Sequence, residues 1–430
     1  MVMRIDVKNT LTYDVVVCGG GFAGVSAAVS AAREGSRVVL VESGGELGGD
    51  ITKGIVPQIL DGSGKGGLVA ELFDFLNARH RTSPRKGPRF DADGNKLSGT
   101  MVDLEYVKYF LEKLCLDAGV AVLYHSNVAF SDMENDQIKR IFVASESGTY
   151  AVEGRIFIDA TGNGSLASMS GCQYEFGHPE SGLPQPCSTS MLVTGLDESL
   201  PSTDTNADKV ALKARLSASG IDVSAEWVTL VKVPQKGCRL LTFNNQYDVD
   251  PADVLSVSEA TARARIECME VAEKMRCVEG FENMEVLSVS SHIGVREGRR
   301  IRGLYRLTFE DITEGRRFED AICAASFSID VHKISADDRE DHKRGKQTVT
   351  YHIPYRCLVA ADCRNLLLAG RCISGDFYAH ASYRVVGNVI PTGEASGFAA
   401  ARCVKEDRAP SDILAAEING YMKQIGYSNI

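Results

Sequence analysis

The sequence predicts an α/β protein built on a split Rossmann-like domain, with an α+β segment inserted between its two parts. Three observations carry this expectation. An apolar run ends in three consecutive glycines and a small-residue stretch, YDVVVCGGGFAGVSAAVSAAREGSRVVLVES, from Tyr13 to Ser43. A second run, RIFIDATG, ends in Ala160-Thr161-Gly162. A third, NLLLAGR, ends in Gly370-Arg371 and leads into another small-residue stretch, VVGNVIPTGEASGFAAARCV.

The elements follow in order. Val15, Val16 and Val17 after Tyr13 predict a strand buried on both faces. Gly19, Gly21 and Gly24 then spell G-x-G-x-x-G, with Phe22 and Ala23 between them as expected cofactor contacts, and Val25 to Ala32, rich in Ala and Ser, predict a helix packed tightly on the sheet. The first glycine permits a tight turn, the second lets a pyrophosphate approach the backbone, and the third lets helix and strand pack closely. The N-terminus of that helix faces the phosphates with free N–H groups and the positive end of its dipole. Gly35 stops the helix, and Arg37 to Val41 form a second strand. Glu42 ends it, placed to accept hydrogen bonds from a ribose 2′-hydroxyl and to repel a 2′-phosphate. Strand, turn, helix, strand and acid in register point to a dinucleotide ligand.

A second glycine pattern, Gly62, Gly64 and Gly67, leads into a helix, but no strand ending in an acid follows. Lys65 precedes Gly and not Ser or Thr, so this is no P-loop. It reads as a mobile loop and helix start, followed by the basic stretch NARHRTSPRKGPRFDADG.

The length of 430 residues predicts two or three domains. The expected bounds are residues 1–175 and 341–430 for the two parts of the split domain, and 176–340 for a substrate domain. The net charge of −10 argues against nucleic acid and against an anionic membrane surface as partners. No apolar window approaches a membrane span, and the first residues lack the apolar core of a signal peptide. A cytoplasmic protein with a small-molecule substrate is expected, and a homo-oligomer stays open. The 12 cysteines show no CxxC spacing, so the expectation is reduced core filler and no metal site.

A further turn, ESGGELGGDIT, brings Leu47, Gly48, Gly49 and Thr52 beside the first glycine cluster. With the strand ends at Ala160-Thr161-Gly162 and Gly370-Arg371, this resembles the glutathione-reductase-like flavoprotein fold. That resemblance implies FAD as cofactor, bound by the glycine turns, Glu42 and Ser43, with Val128, Gly387, Asn388, Thr392 and Gly393 also in contact. No second fingerprint occurs mid-chain, which argues against a built-in NAD(P)H domain. The late helix is expected to start near Thr392-Gly393-Glu394, with Thr392 as N-cap and its dipole stabilising an anionic reduced flavin.

The segment from Ser291 to Lys333 narrows the resemblance. G-x-R-E-x-R-R-I-x-G-x-Y-x-L-T runs from Gly294 to Thr308, followed by Ile329-Asp330-Val331-His332 and Ile353-Pro354-Tyr355-Arg356. Ala369 to Ser374 and Ser382-Tyr383-Arg384-Val385 complete the set. Together they resemble a bacterial family of FAD-dependent oxidoreductases, some of which carry a xanthan lyase-related label. Two departures stand out. Asn163 and Ser165 replace two expected acids, and Phe377 stands where a histidine is expected, with His380 three residues on.

The candidates for chemistry follow. HASYRVVGN places His380, Arg384, Gly387 and Asn388 at the spacing of a fumarate-reductase-like segment, in which the arginine clamps a carboxylate. His332, His352 and His380 are candidate proton carriers, because neutral imidazole works as acid or base near pH 7. Arg296 and Arg300 can converge on an anion, and Tyr355 and Arg356 are expected to border the same cleft. The expected activity is hydride exchange between flavin N5 and a small hydroxylated or carboxylated substrate. The alternatives are an enoate reductase with Arg384 as clamp, and a non-catalytic FAD redox sensor. Trp227, the single tryptophan, lies outside any W-x-W-x-I-P motif, which argues against a halogenase.

Overall fold

The computed structural model describes residues 6–84, 89–90, 96–97, 99–335, 341, 343 and 345–430. Parts of the basic stretch after residue 77, namely 85–88 and 91–94, lie outside the described residues, as do 336–340 at the expected boundary.

Five parallel strands form the core sheet, in the order Leu366–Leu368, Ile156–Asp159, Val15–Cys18, Val38–Val41, Ala121–Leu123. Val17 pairs with Ile158 on one side and Leu40 on the other, and Ile158 pairs with Leu367. Late and early parts of the chain therefore share one sheet. Its central strands, VVVC, VVLV and IFID, are buried throughout and mostly apolar because both faces are covered. A second sheet, ordered Val7–Thr12, Gly148–Glu153, Gln137–Ser145, Asn127–Glu134, contributes Ile141, Val143 and Val152 to the same core.

The helix Phe22–Arg33 packs against the long closing helix Val386–Glu406 through glycines four residues apart, hence on one face. A Cβ at Gly393 would lie 2.1 Å from Ala23 O, and one at Gly397 would lie 2.2 Å from Ala27 O. The closing helix begins at Val386, with Val385 as its cap residue, and runs through Pro391. The expected start at Thr392 is therefore corrected: Thr392 sits inside the helix and caps nothing. Proline is tolerated in the second turn, where the helical hydrogen-bond ladder has barely begun.

A separate hydrophobic core lies between residues 191 and 284. Four antiparallel strands, ordered Thr229–Lys232, Arg239–Thr242, Met191–Thr194, Glu285–Val289, pack with the helices Asn206–Ala218 and Val254–Met275. Met191 and Val193 are buried while Leu192 and Thr194 are partly open, the alternation of a sheet covered on one face. Asp253 caps the longer helix by accepting from the N–H groups of Leu255 and Ser256.

The second glycine pattern is packed at Gly62 and Lys65 and open at Gly64. The Lys65 side chain is 8% exposed, 3.6 Å from Asp61, and donates to Asn388 in the first turn of the closing helix. The helix that follows, Gly67–Asn77, is capped from afar: Glu394 Oε1 accepts from Leu68 N at 2.8 Å. No helix among the described residues is long and apolar enough to cross a membrane. Ten cysteines are buried, Cys238 is half-buried and Cys277 is exposed.

Candidate cofactor cradle and substrate pocket

The three fingerprint glycines have different reasons to be glycine. Gly19 has φ +103°, and a Cβ there would lie 2.4 Å from Ala160 O. A Cβ at Gly24 would lie 1.8 Å from Gly19 O. Both sites are closed by the chain itself. Gly21 is open: the nearest atom to its Cβ position is Gly49 Cα at 4.0 Å. Gly21 and Gly48 form a parallel bridge, and Gly48 N donates to Gly20 O at 2.9 Å. Thr52 Oγ1, donating to Leu47 O at 2.6 Å, holds the second turn in shape. The result is a bare backbone cradle around Gly21.

Glu42 is 3% exposed. Its Oε2 accepts from Gly20 N at 2.7 Å, and its Oε1 from Gly44 N at 2.5 Å, Lys53 Nζ at 2.6 Å and Ser43 Oγ at 3.3 Å. Burial works to raise its pKa, but the Lys53 charge and these donors prevail and hold it below the usual carboxylate range. Any ligand donor that reaches this carboxylate shares it with Lys53, a residue the sequence reading missed. Ser126 N donates to Glu42 O at 3.0 Å, which sets Val128, at the start of the outer strand Asn127–Glu134, close behind.

At the neighbouring strand end, Asp159 is fully buried and accepts from Thr161 N at 2.9 Å, Thr161 Oγ1 at 2.7 Å and Ala167 N at 2.8 Å. Gly162 has φ +77° and lies under the Arg371 guanidinium, 2.7 Å from where its Cβ would be. Arg371 Nη1 donates to Asp50 Oδ2 at 3.0 Å and Nη2 to Asn163 Oδ1 at 3.1 Å. Gly370 N donates to Thr392 Oγ1 at 2.8 Å, which ties the third strand end to the closing helix. Gly387 N donates to Leu60 O at 3.0 Å, and Asn388 Oδ1 accepts from Lys65.

Beyond Arg371 lies a cluster of arginine side chains. Arg300, 3% exposed, pairs with Glu297, 1% exposed. Glu297 also accepts from Gly177 N and Gln185 N, both at 3.0 Å, so the pair fastens the 177–185 loop. Arg384 Nη1 donates to Arg296 O at 2.9 Å, and its Nη2 donates to Asp330 O at 2.7 Å and Gln185 Oε1 at 3.4 Å. Arg296 donates to Pro186 O. Burial, then neighbouring Arg384, push the Arg296 pKa down to about 10. Burial and then Arg296 push His332 down to about 4, even though its ring lies 3.7 Å from Asp330 Oδ2. His380 is fully buried, and neither ring nitrogen has a partner. Burial, then Arg384, Arg300 and Arg371, hold it well below the usual histidine range, so it is neutral.

Three expected members do not belong to this group. His352 Nε2 contacts Arg317 Nη1 at 2.8 Å and Asn429 O at 3.1 Å, and its Nδ1 accepts from Phe318 N at 3.2 Å. Tyr355 is buried and donates to Pro410 O at 3.0 Å. Arg356 forks onto Asp320 at 2.9 and 3.2 Å. All three hold the chain's late segments together and do not border the pocket. Arg300 likewise serves its buried pair. Sequence reasoning missed Gln185, Asp50, Lys53, Lys65 and Asp330 as site residues; Asp330 and Asp50 carried a signal, because they lie within the Ile329–His332 motif and the ESGGELGGDIT turn.

An FAD fits what is present. The backbone around Gly21 has room for a pyrophosphate, and among the described residues two buried donors close by, Arg371 Nε and Asn388 Nδ2, have no acceptor. Three solved structures share the fold. A geranylgeranyl bacteriochlorophyll reductase-like protein from Thermoplasma acidophilum aligns at TM-score 0.50 and 12% identity, over 97% of this chain and 85% of its own. CabE, an aromatic hydroxylase from angucycline biosynthesis, aligns at 0.51 and 14%, over 96% and 65%. The myxobacterial chondrochloren halogenase CndH aligns at 0.50 and 11%, over 96% and 79%. The sequence profile of the FAD dependent oxidoreductases matches residues 14–422, nearly the whole chain, and this protein belongs to that family of FAD-binding enzymes.

Proposed function

We propose that the enzyme exchanges a hydride with a small hydroxylated or carboxylated substrate held between the glycine cradle and the segment 176–340. FAD, when bound, supplies the redox chemistry at its N5 position. The remaining work falls to the chain. Gly19 to Gly24, Gly48 and Gly49 seat the pyrophosphate, and Glu42 with Lys53 faces the ribose. The 1–175 and 341–430 parts together are read as the glutathione-reductase-like FAD domain, with 176–340 as the substrate domain.

One observation carries the reading: four arginines and two imidazoles from distant segments meet next to the cradle, and several of their buried donors have no partner. His380, neutral and unpartnered, can present one N–H and one lone pair to a ligand. His332 is neutral at pH 7 and gains basicity only when an anion enters beside Arg296. It is the better placed of the two to accept a proton. The enoate-reductase alternative needs the Arg384 guanidinium for the substrate, and both its terminal nitrogens are already bonded within the chain.

The test is anaerobic. The purified yellow protein is mixed with alcohols, amines, hydroxy acids and sugars, and flavin bleaching near 450 nm is followed. After photoreduction, reoxidation by enoates is followed in the same way. Bleaching by a hydroxylated or carboxylated compound supports the reading. Reoxidation by enoates with no bleaching by any donor moves it to the alternative.

A further inference from the structure

We propose that Arg296 and the Gln185 side-chain amide together seat the carboxylate of a small monocarboxylic acid, while Arg384 positions Gln185 and does not touch the ligand. This rests on the flavoenzyme reading above.

Charge balance singles out Arg296. Arg300 has Glu297, Arg371 has Asp50 at 3.0 Å, and Arg384 has Asp330 at 3.5 Å. Among the described residues, Arg296 has no carboxylate at ion-pair distance. One carbonyl, Pro186 O, answers one of its five N–H groups. Among the described residues four guanidiniums thus face three carboxylates, and the two imidazoles are neutral. The surplus is one positive charge, which a monoanion cancels and a dianion overshoots. A neutral polyol leaves it uncompensated at a half-buried position, where unpaired charge is costly.

Gln185 supplies the second contact. It is 1% exposed, and its Oε1 accepts from His332 N at 3.1 Å and from Arg384 Nη2 at 3.4 Å. Two donors on one atom fix which end of the amide is oxygen. Its Nε2 is then a buried donor with no acceptor among the described residues. A buried donor left unanswered is a site for a ligand oxygen. Gln185 and Pro186 are consecutive, and Arg296 hangs from the Pro186 carbonyl, so the free amide and the uncompensated guanidinium are fastened to the same two residues. Arg384 stands one bond behind. It holds the Gln185 oxygen and the Arg296 and Asp330 carbonyls, so it orients both anchors.

The test uses the full-length FAD-loaded protein and its Q185L, Q185E, R296M and R384K variants. Acetate is titrated as monoanion, succinate as dianion and acetamide as neutral isostere. Flavin difference spectra and the shift in Tm report binding. Acetate is expected to bind about 100-fold more tightly than acetamide, because the guanidinium contact is charge-assisted. Succinate is expected to bind more weakly than acetate. R296M is expected to weaken acetate about 100-fold and Q185L about tenfold. Q185E keeps the side-chain volume and, by repelling the anion, weakens acetate at least as much as Q185L, so it serves if Q185L folds poorly. R384K is expected to match Q185L and to add nothing in the double variant, the mark of one route. A loss with R384K that equals R296M and adds to Q185L makes Arg384 the clamp and overturns the assignment. Acetamide binding as well as acetate also overturns it. Yellow wild-type protein that responds to neither acid overturns the carboxylate proposal and leaves the flavoenzyme reading standing. Colourless protein overturns that reading itself.

Discussion

The cradle and the arginine pocket are neighbours built by opposite means. The cradle is made of backbone. Gly19, Gly21 and Gly24 lie within six residues; Gly19 and Gly24 are constrained by backbone atoms close in sequence or at the next strand end, and Gly21 is left open. The pocket is made of side chains from five separate segments, around residues 185, 296–300, 330–332, 371 and 380–384. A local motif can specify the first. The second exists only once the chain has folded, and its buried charges stand or fall with their partners.

This contrast can be tested by disturbing each region. The largest effect is expected from Glu297→Gln, which leaves Arg300 buried without its counter-charge and costs about 3–5 kcal/mol in urea unfolding. A loss under 1 kcal/mol would mean the pocket does not depend on paired charge. In the cradle, Gly24→Ala drives a Cβ into Gly19 O and costs about 3 kcal/mol. The control Gly35→Ala, with φ +94° and nothing within 4 Å, costs about 1 kcal/mol. Equal costs for the two alanines would remove the packing argument. Glu42→Ala is expected to weaken FAD retention about 10- to 100-fold on gel filtration. Arg384→Ala should leave retention nearly unchanged, and the reverse order would exchange the roles given to cradle and pocket.

The next effect is one of pH. His332 titrates near 6.5 when unfolded and at about 4 when folded. Between those values the unfolded chain binds the extra proton, so stability rises with pH. Acidifying from pH 7 to 5 is expected to remove about 1–2 kcal/mol, and His332→Gln should flatten that slope in a series of melting temperatures. A slope unchanged by His332→Gln would place the acid sensitivity elsewhere, with buried His380 the next group to test. The smallest effect is Tyr355→Phe. It deletes one hydrogen bond to Pro410 O, costs about 1 kcal/mol, and leaves the flavin spectrum and any turnover as they were.

Much of the cradle was legible in advance. The helix stops where Gly35 predicted, and the two strands flanking it pair as expected. The late strand Leu366–Leu368 joins the same sheet. The closing helix was misplaced by six residues, because Pro391 looked like a helix start and is an interior residue. His352, Tyr355 and Arg356 were misread for a related reason. They sit in a family-like motif at a strand end, yet that strand pairs with Ala321–Ala325 and anchors the C-terminal segment. Gln185 gave no signal at all, since a lone glutamine in a loop has no periodicity and no spacing to read.

By itself, then, the sequence determined the class of cofactor and the sheet that carries it. Glycine is demanded wherever backbone meets backbone, and that demand is written at fixed intervals along the chain. Only the tertiary structure decided which charged groups share a pocket and which one of them lacks a partner. Burial makes that decision. A guanidinium is an ordinary surface group until its neighbours exclude water, and whether a carboxylate stands opposite can depend on segments more than three hundred residues apart, as with Arg371 and Asp50.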